Sequence, residues 1–191
     1  EQIFVLNLMA SPGAGKTTFI LAMAARLPAS IRPGVIEGDL ASRIDADKIE
    51  AQGLPVVQIN TGGGCHLDAP MIRTALPELP LDNIDLLFIE NVGNLVCPAH
   101  FKLGSDLNVV VSSVPEGHDK PYKYPNMFVA ADVIILNKAD MIEVFVFDVE
   151  FFRRGVEIVN ADAPVFVLSS RTGSGIDSWI TWLTQQLGNS D

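Results

Sequence analysis

Short runs of β-branched and other apolar residues recur along the chain at Ile3 to Met9, Val35 to Glu37, Pro55 to Asn60, Leu86 to Glu90, Val109 to Val114, Val133 to Asn137 and Val165 to Leu168. Between most of them lie helix-length mixtures of apolar and polar residues. Parallel strands need helical crossovers, so this alternation predicts an α/β fold built on a mainly parallel, doubly wound sheet with helices on both faces. Function in such folds collects at the carboxyl ends of the strands. The last helix is the clearest: Ile176, Trp179, Ile180, Leu183 and Leu187 fall on one face, and Ser174 with Asp177 has the spacing of a capping box. That stripe is ordinary core, Trp179 included. The stretch from Pro121 to Pro125 interrupts regular structure and predicts a loop.

Composition narrows the class. With 191 residues and 48% hydrophobic content, the chain can bury a substantial core, and one domain over residues 1–191 is expected. A formal net charge of -10 without any lysine or arginine cluster argues against nucleic acid and anionic membrane as partners. No apolar run approaches the ~18 residues of a membrane span. No signal peptide is visible, and a first residue of Glu1 fits a trimmed or tagged chain. Two cysteines, Cys65 and Cys97, are too few for a disulfide framework, which points to a reducing cytoplasm with both thiols free.

The first predicted strand runs into Ala10-Ser-Pro-Gly-Ala-Gly-Lys-Thr-Thr18, followed by the helix-like Phe19 to Leu27. Strand, glycine-rich loop and helix are the context of a phosphate-binding P-loop, in which successive backbone N–H groups and the positive end of the helix dipole face the same anion. Gly13 and Gly15 let the chain curl, Ala14 and Thr18 lie within the cradle, Lys16 reaches the outer phosphates, and the Thr17 hydroxyl is a ligand for Mg²⁺. Ala10 stands where the pattern has glycine, which suits a backbone with negative φ.

Other strand ends carry complementary chemistry. Asn137-Lys138-Ala139-Asp140 matches the guanine-recognition motif N-K-x-D. A carboxylate at Asp140 accepts from both N1–H and the 2-amino group of guanine, whereas adenine would leave it unpaired, a penalty of roughly 1 to 3 kcal/mol. Ser169-Ser170-Arg171 follows the next strand and resembles the S-A-K base loop of GTPases. Glu90-Asn-Val-Gly93 occupies the place of D-x-x-G: Glu90 would hold Mg²⁺, through water, and Gly93 would bring an N–H to the γ-phosphate. Asp39, at the end of Glu37-Gly38-Asp39, would orient the attacking water or ligate Mg²⁺, or else simply cap a helix. Lys16, Asp39 and Glu90 thus form the expected catalytic group. No glutamine or arginine finger is evident, so slow intrinsic hydrolysis is expected.

Thr61-Gly-Gly-Gly-Cys65-His66 and Cys97, in Asn94-Leu-Val-Cys-Pro98, supply two thiols and an imidazole, a set suited to Zn²⁺ or Ni²⁺. Spacing alone is weak, since the usual fate of a lone cysteine is burial. Position adds to it: Cys97 lies four residues beyond Gly93. Three ligands leave a tetrahedral ion one short, so water or a second chain would complete it. His100 and His118 read as surface or capping residues.

Taken together, Ser11-Pro-Gly-Ala-Gly-Lys-Thr-Thr18, Glu37-Gly-Asp39, Asn60-Thr-Gly-Gly-Gly-Cys-His-Leu-Asp68, Phe88-Ile-Glu-Asn-Val-Gly-Asn-Leu-Val-Cys-Pro98, Glu116-Gly117 with Lys120-Pro121, and Asn137-Lys-Ala-Asp140 resemble the hydrogenase nickel-incorporation GTPases, the HypB family. The likeness spans nearly the whole chain. It implies a P-loop GTPase of the dimerising (SIMIBI-type) class that binds GTP with Mg²⁺, forms a homodimer when GTP-bound, and delivers nickel to the hydrogenase large subunit together with accessory maturation proteins. It also implies Cys65, His66 and Cys97 as the metal ligands and Lys120 or Lys123 as a reach toward the partner subunit's nucleotide. Family members often carry an N-terminal cysteine-rich or histidine-rich nickel tract. Neither occurs in these residues, so the internal site is expected to act alone. Two other readings stay open at this point: a regulatory GTPase whose cysteines are merely packed, and an ATP-dependent P-loop kinase, against which Asp140 argues.

Overall fold

A computed structural model of the chain describes residues 3–188. Seven strands, β1 Phe4–Met9, β2 Pro33–Asp39, β3 Val56–Asn60, β4 Leu86–Glu90, β5 Leu107–Ser113, β6 Val133–Asn137 and β7 Val165–Val167, pair in parallel in the order β3-β2-β4-β1-β5-β6-β7. Every residue of β4 and of β6 is buried, as strands covered on both faces must be. The parallel sheet predicted from the alternation is therefore present. Its inner strands match the apolar runs closely, while β2 extends at both ends of Val35 to Glu37 and β7 stops before Leu168.

One face carries helix α1 (Lys16–Ala24), helix α2 (Ile44–Glu50) and the last helix, Ile176–Gly188, with Phe19, Ile20, Met23, Ile49, Trp179 and Leu183 packed on Leu6, Leu8, Phe88, Val109 and Ile135. The opposite face has two separate clusters. Helix α3 (Ala69–Ala75) packs Ile72 and Ala75 beside Ile36 and Ile89. Two short helices, α4 (Lys120–Lys123) and α5 (Pro125–Val129), join α6 (Val149–Val159) over Val110, Ile134 and Leu136. The final helix is thus α7. Between the two clusters, residues 91–106 connect β4 to β5 with only a 3₁₀ turn at Cys97–His100. An irregular crossover at the centre of the sheet leaves backbone groups to be satisfied by side chains, and asparagines do this below.

Two local expectations need correction. The Pro121 to Pro125 stretch forms α4 and α5 rather than a loop, because each proline sits in the first turn of its helix, where a missing N–H costs nothing. The Ser174–Asp177 capping box does not form: α7 begins at Ile176, so Gly175, at φ +76°, takes the N-cap position.

A polar latch closes the sheet edge at which the strands begin. Arg32 donates from Nε (2.8 Å), Nη2 (2.7 Å) and its backbone N–H (2.7 Å) to the Asp85 carboxylate. These bonds hold Asp85 at about 2, well below its ordinary 3.8. A depressed folded-state value stabilises the fold above the unfolded-state value, and the contribution fades as pH falls from about 4 toward 2. The pair is partly exposed, so we expect Asp85→Asn to cost only about 1 kcal/mol at neutral pH and to flatten thermal stability against pH between 4 and 2.

Candidate nucleotide and metal site

All the candidate loops lie at the carboxyl edge of the sheet, around β1, which is flanked by β4 and β5. The P-loop leaves β1 at Ala10. Among the described residues the non-glycine positions with positive φ are Lys138 and Val146, so Ala10 takes a negative φ and the alanine is accommodated. Gly15 precedes α1 at φ +98°, and a Cβ there would lie 2.8 Å from Asn137 Nδ2. Only glycine suits both demands. The N-terminus of α1 has no side-chain cap and no acidic residue in its first turn, so its N–H groups remain for an anion.

A cavity of about 310 Å³ opens over this loop, lined by Gly13, Gly15, Lys16, Thr17, Thr18, Asp45, Lys48, Glu90 and Lys138. Thr17 Oγ1 donates to Glu90 Oε1 at 2.9 Å, and Lys16 Nζ lies 3.9 Å from the same oxygen. The other oxygen, Glu90 Oε2, is buried without a partner. Burial pushes Glu90 up to about 7, against the pull of Lys16 and the Thr17 hydroxyl. A neighbouring cation would favour the charged form. Hydroxyl, carboxylate and an unused oxygen lone pair together fit Mg²⁺. Asp39 accepts from the backbone N–H groups of Ala41 (2.9 Å) and Ser42 (2.7 Å), which hold its carboxyl below the usual range.

A second carboxylate at this spot was not foreseen. Glu37 pairs in register with Glu90 across β2 and β4, is 2% exposed, and has an unpartnered Oε2. Burial first, and the Glu90 charge next, push it up to about 8. An acid inside the apolar Val35-Ile36 strand was the available clue, since such a residue is seldom buried without a purpose.

Beside the phosphate cavity lies one of about 350 Å³, lined by Gly15, Thr18, Pro115, Asn137, Lys138, Asp140, Met141, Ser170 and Arg171. Asn137 organises it: Nδ2 donates to Ala14 O (3.2 Å), and Oδ1 accepts from Ser170 N (3.0 Å) and Ser170 Oγ (2.9 Å). Lys138, in the left-handed region at φ +59°, donates from Nζ to Gly13 O at 2.6 Å. Ser169 Oγ donates to Asp140 Oδ1 at 2.6 Å, orienting that carboxylate. The three segments 13–18, 137–140 and 169–171 thus meet, and Arg171 lies exposed at the rim.

The third feature joins loops 61–68 and 91–100. Ligand atoms of Cys65, His66 and Cys97 lie within 4.8 Å of one another, with Cys65 Sγ 2.8 Å from Cys97 Sγ and 3.7 Å from His66 Nδ1. All three side chains are half-buried. The Cys65 sulfur pushes the Cys97 thiol up. His66 stacks on Phe101 with ring centres 3.6 Å apart. Asn94 accepts from the N–H groups of Val96 (2.7 Å) and Cys97 (3.2 Å), fixing the turn that presents Cys97, and its own N–H donates to Ala10 O at 2.7 Å. Gly93 lies against the P-loop, where a Cβ would come 2.9 Å from Pro12 Cα. His100 is exposed, outside the cluster, and His118 accepts from Asp148 N at 3.2 Å.

A seven-stranded parallel sheet with a P-loop at its switch point defines a P-loop nucleotide-binding protein. The match to the CobW/HypB/UreG nucleotide-binding domain covers residues 4–167, and the chain belongs to that family, on its HypB branch. It is 51% identical over 182 residues to the hydrogenase maturation factor HypB of Escherichia coli K12, covering 95% of this chain and 63% of that protein. It is 43% identical over 190 residues to the hydrogenase/urease maturation factor HypB of Helicobacter pylori 26695, covering 97% and 78%. The chain thus spans about three fifths of the Escherichia coli relative's length. The crystal structure of Helicobacter pylori HypB in complex with nickel superposes with a TM-score of 0.94 at 42% identity, covering 98% of this chain and 88% of that one. Archaeoglobus fulgidus HypB gives 0.89 at 37%, covering 97% and 90%. The signal recognition particle receptor FtsY shares the fold at 18% identity and a TM-score of 0.58. Among the described residues no helix is long and apolar enough to cross a membrane.

Proposed function

We propose that this chain is the GTP-hydrolysing unit of a nickel metallochaperone that acts in NiFe-hydrogenase maturation, with Cys65, His66 and Cys97 holding the cargo ion. The observation that carries this reading is the convergence of three metal donors on loops that also touch the nucleotide loop, through Gly93 on Pro12 and Asn94 on Ala10. Maturation factors for hydrogenase and urease among the relatives, one of them solved with nickel, support it. The partners in this reading are the hydrogenase large subunit and accessory maturation proteins, in the cytoplasm.

The residues divide the work. Asp140, oriented by Ser169, accepts from the guanine N1–H and 2-amino groups, while Asn137 and Ser170 set the walls of the base cavity. Backbone N–H groups from Gly13 to Thr18 take the β-phosphate, and Lys16 takes the γ-phosphate. Thr17 and Glu90 would hold Mg²⁺, which would supply charge neutralisation to the phosphates. In this reading Asp39, held charged by the backbone N–H groups of Ala41 and Ser42, orients the attacking water. Water or a second copy of the chain would complete the fourth position on the cargo ion, and a ligand from a second copy would make the metal site sensitive to dimerisation. Zn²⁺ suits the same donors, so metal supply decides between the two ions.

Coupling of this kind is typically worth about 1 to 3 kcal/mol, or roughly 5- to 150-fold in affinity. Equilibrium dialysis of nickel against the GDP-loaded and GTP-analogue-loaded protein is expected to return dissociation constants that differ by a factor in that range. Equal constants would leave metal release without a nucleotide trigger and sink the coupled reading.

A further inference from the structure

The geometry assigns to Asn91 the role of positioning residue between the nucleotide end of β4 and the metal-binding loop. This rests on the function proposed above and identifies the group that carries its coupling. Asn91 directly follows Glu90 and is fully buried. Its Oδ1 accepts from the N–H of Leu67 at 3.0 Å and from the N–H of Val92 at 2.9 Å, while its backbone N–H donates to Leu8 O at 3.0 Å. Its Nδ2 donates to Asn7 Oδ1 at 3.2 Å, and Asn7 Nδ2 donates onward to Asn108 Oδ1 at 3.0 Å. The amide is therefore held from behind by β1, so that its oxygen points at Leu67.

Leu67 is the residue after His66, and its side chain is fixed as firmly as its backbone. It lies so close to Gly38 that a Cβ there would come 2.7 Å from Leu67 Cδ1. Gly38 precedes Asp39, as Asn91 follows Glu90. The first residue beyond Cys65 and His66 is thus clamped between the two strands that end in Asp39 and Glu90. A shift of either strand end moves Leu67, and with it the Cys65-His66 pair relative to Cys97. Asn94 does the same for Cys97 from the P-loop side, but through the backbone of Ala10 rather than through the carboxylate strand. A buried N–H at Leu67 has no water to turn to, so breaking the Asn91 bond leaves loop 61–66 to choose its position without reference to β4.

Two variants of similar size separate this role from simple packing. Asn91→Leu removes the acceptor, whereas Asn91→Asp keeps an oxygen for Leu67 and Val92. Nickel dissociation constants are measured by dialysis in the GDP and GTP-analogue states, with thermal unfolding recorded for each protein. The expected result is that the roughly 5- to 150-fold wild-type ratio falls to within about twofold of one in Asn91→Leu and persists in Asn91→Asp. A wild-type ratio in both variants, or its loss in both alike, overturns the assignment. Hydrogen exchange at the Leu67 amide of the unaltered protein gives a readout that needs neither variant nor nickel. Its protection is expected to change when GTP analogue and Mg²⁺ are added, and unchanged protection also overturns the assignment. Were the wild-type nickel ratio itself one, the coupled function would fail on that count, while exchange at Leu67 would still decide whether the clamp answers to nucleotide.

Discussion

Replacing Lys16 by alanine is expected to lower GTP turnover by about a hundred- to a thousand-fold, equivalent to roughly 3 to 4 kcal/mol of barrier, while leaving the fold in place. Phosphoryl transfer asks chiefly for fixed positive charge beside the equatorial oxygens, and three lysines line the phosphate cavity. Two of them are already engaged. Lys48 is exposed and pairs with Asp45 at 2.7 Å, and Lys138 Nζ donates to Gly13 O at 2.6 Å. Lys16 is the buried one, and its nearest anionic partner sits at 3.9 Å, long enough to be exchanged for a phosphate oxygen.

Removing this cation leaves two buried carboxyls that burial already pushes toward the neutral form. Lys16 lowers both Glu90 and Glu37, so in its absence both shift further in that direction. Thermal unfolding should consequently move by no more than a few degrees, which distinguishes lost chemistry from lost structure. Single-turnover hydrolysis at saturating GTP checks the first part, and a rate within threefold of the unaltered protein would remove Lys16 from the machinery.

Much of this site was legible in the chain because its parts are local. The P-loop from Ala10 to Thr18 and the Asn137 to Asp140 turn each carry their chemistry within a few residues of a strand end, and a parallel sheet delivers all strand ends to one edge. The buried acid pair was not legible. Glu37 and Glu90 meet only through the β2–β4 register, which an order of strands in sequence does not specify. The Asn7–Asn91–Leu67 chain is hidden for the same reason, since its partners come from β1, from the end of β4 and from the loop after β3. The two misread stretches have a different origin. Prolines at 121 and 125 break a helix interior but suit a helix start, and Ser174 had capping chemistry one residue too early. In both, residue type was right and position within the element decided the outcome.

The cysteines admit the sharpest division between the metal and nucleotide roles. Cys65→Ser and Cys97→Ser are each expected to weaken nickel binding by a hundredfold or more, with metal-free GTP turnover unchanged within about threefold. A serine oxygen is a hard donor that does not replace thiolate for Ni²⁺ or Zn²⁺, and losing one of three protein ligands exceeds the 10- to 100-fold typical of losing an outer-shell partner. Among the described residues, Cys65, His66 and Cys97 are the group of donors close enough to share an ion. The neighbouring acid Asp68 is engaged as the N-cap of α3, accepting from Met71 N at 2.9 Å, and is poorly placed to substitute. The fold should tolerate both changes: serine nearly matches cysteine in size, and the turn that presents Cys97 is held by Asn94 through backbone N–H groups, which no side-chain change at 97 disturbs. Metal content by atomic absorption after dialysis, set beside GTP turnover of the same samples, reads both halves at once. Full nickel binding by both variants would mean that the two sulfurs merely pack against each other. A matching fall in turnover would mean that loop 91–100 shapes the hydrolytic centre even without metal. Only loss of nickel with turnover preserved fits a cargo site that the nucleotide loop addresses but does not need.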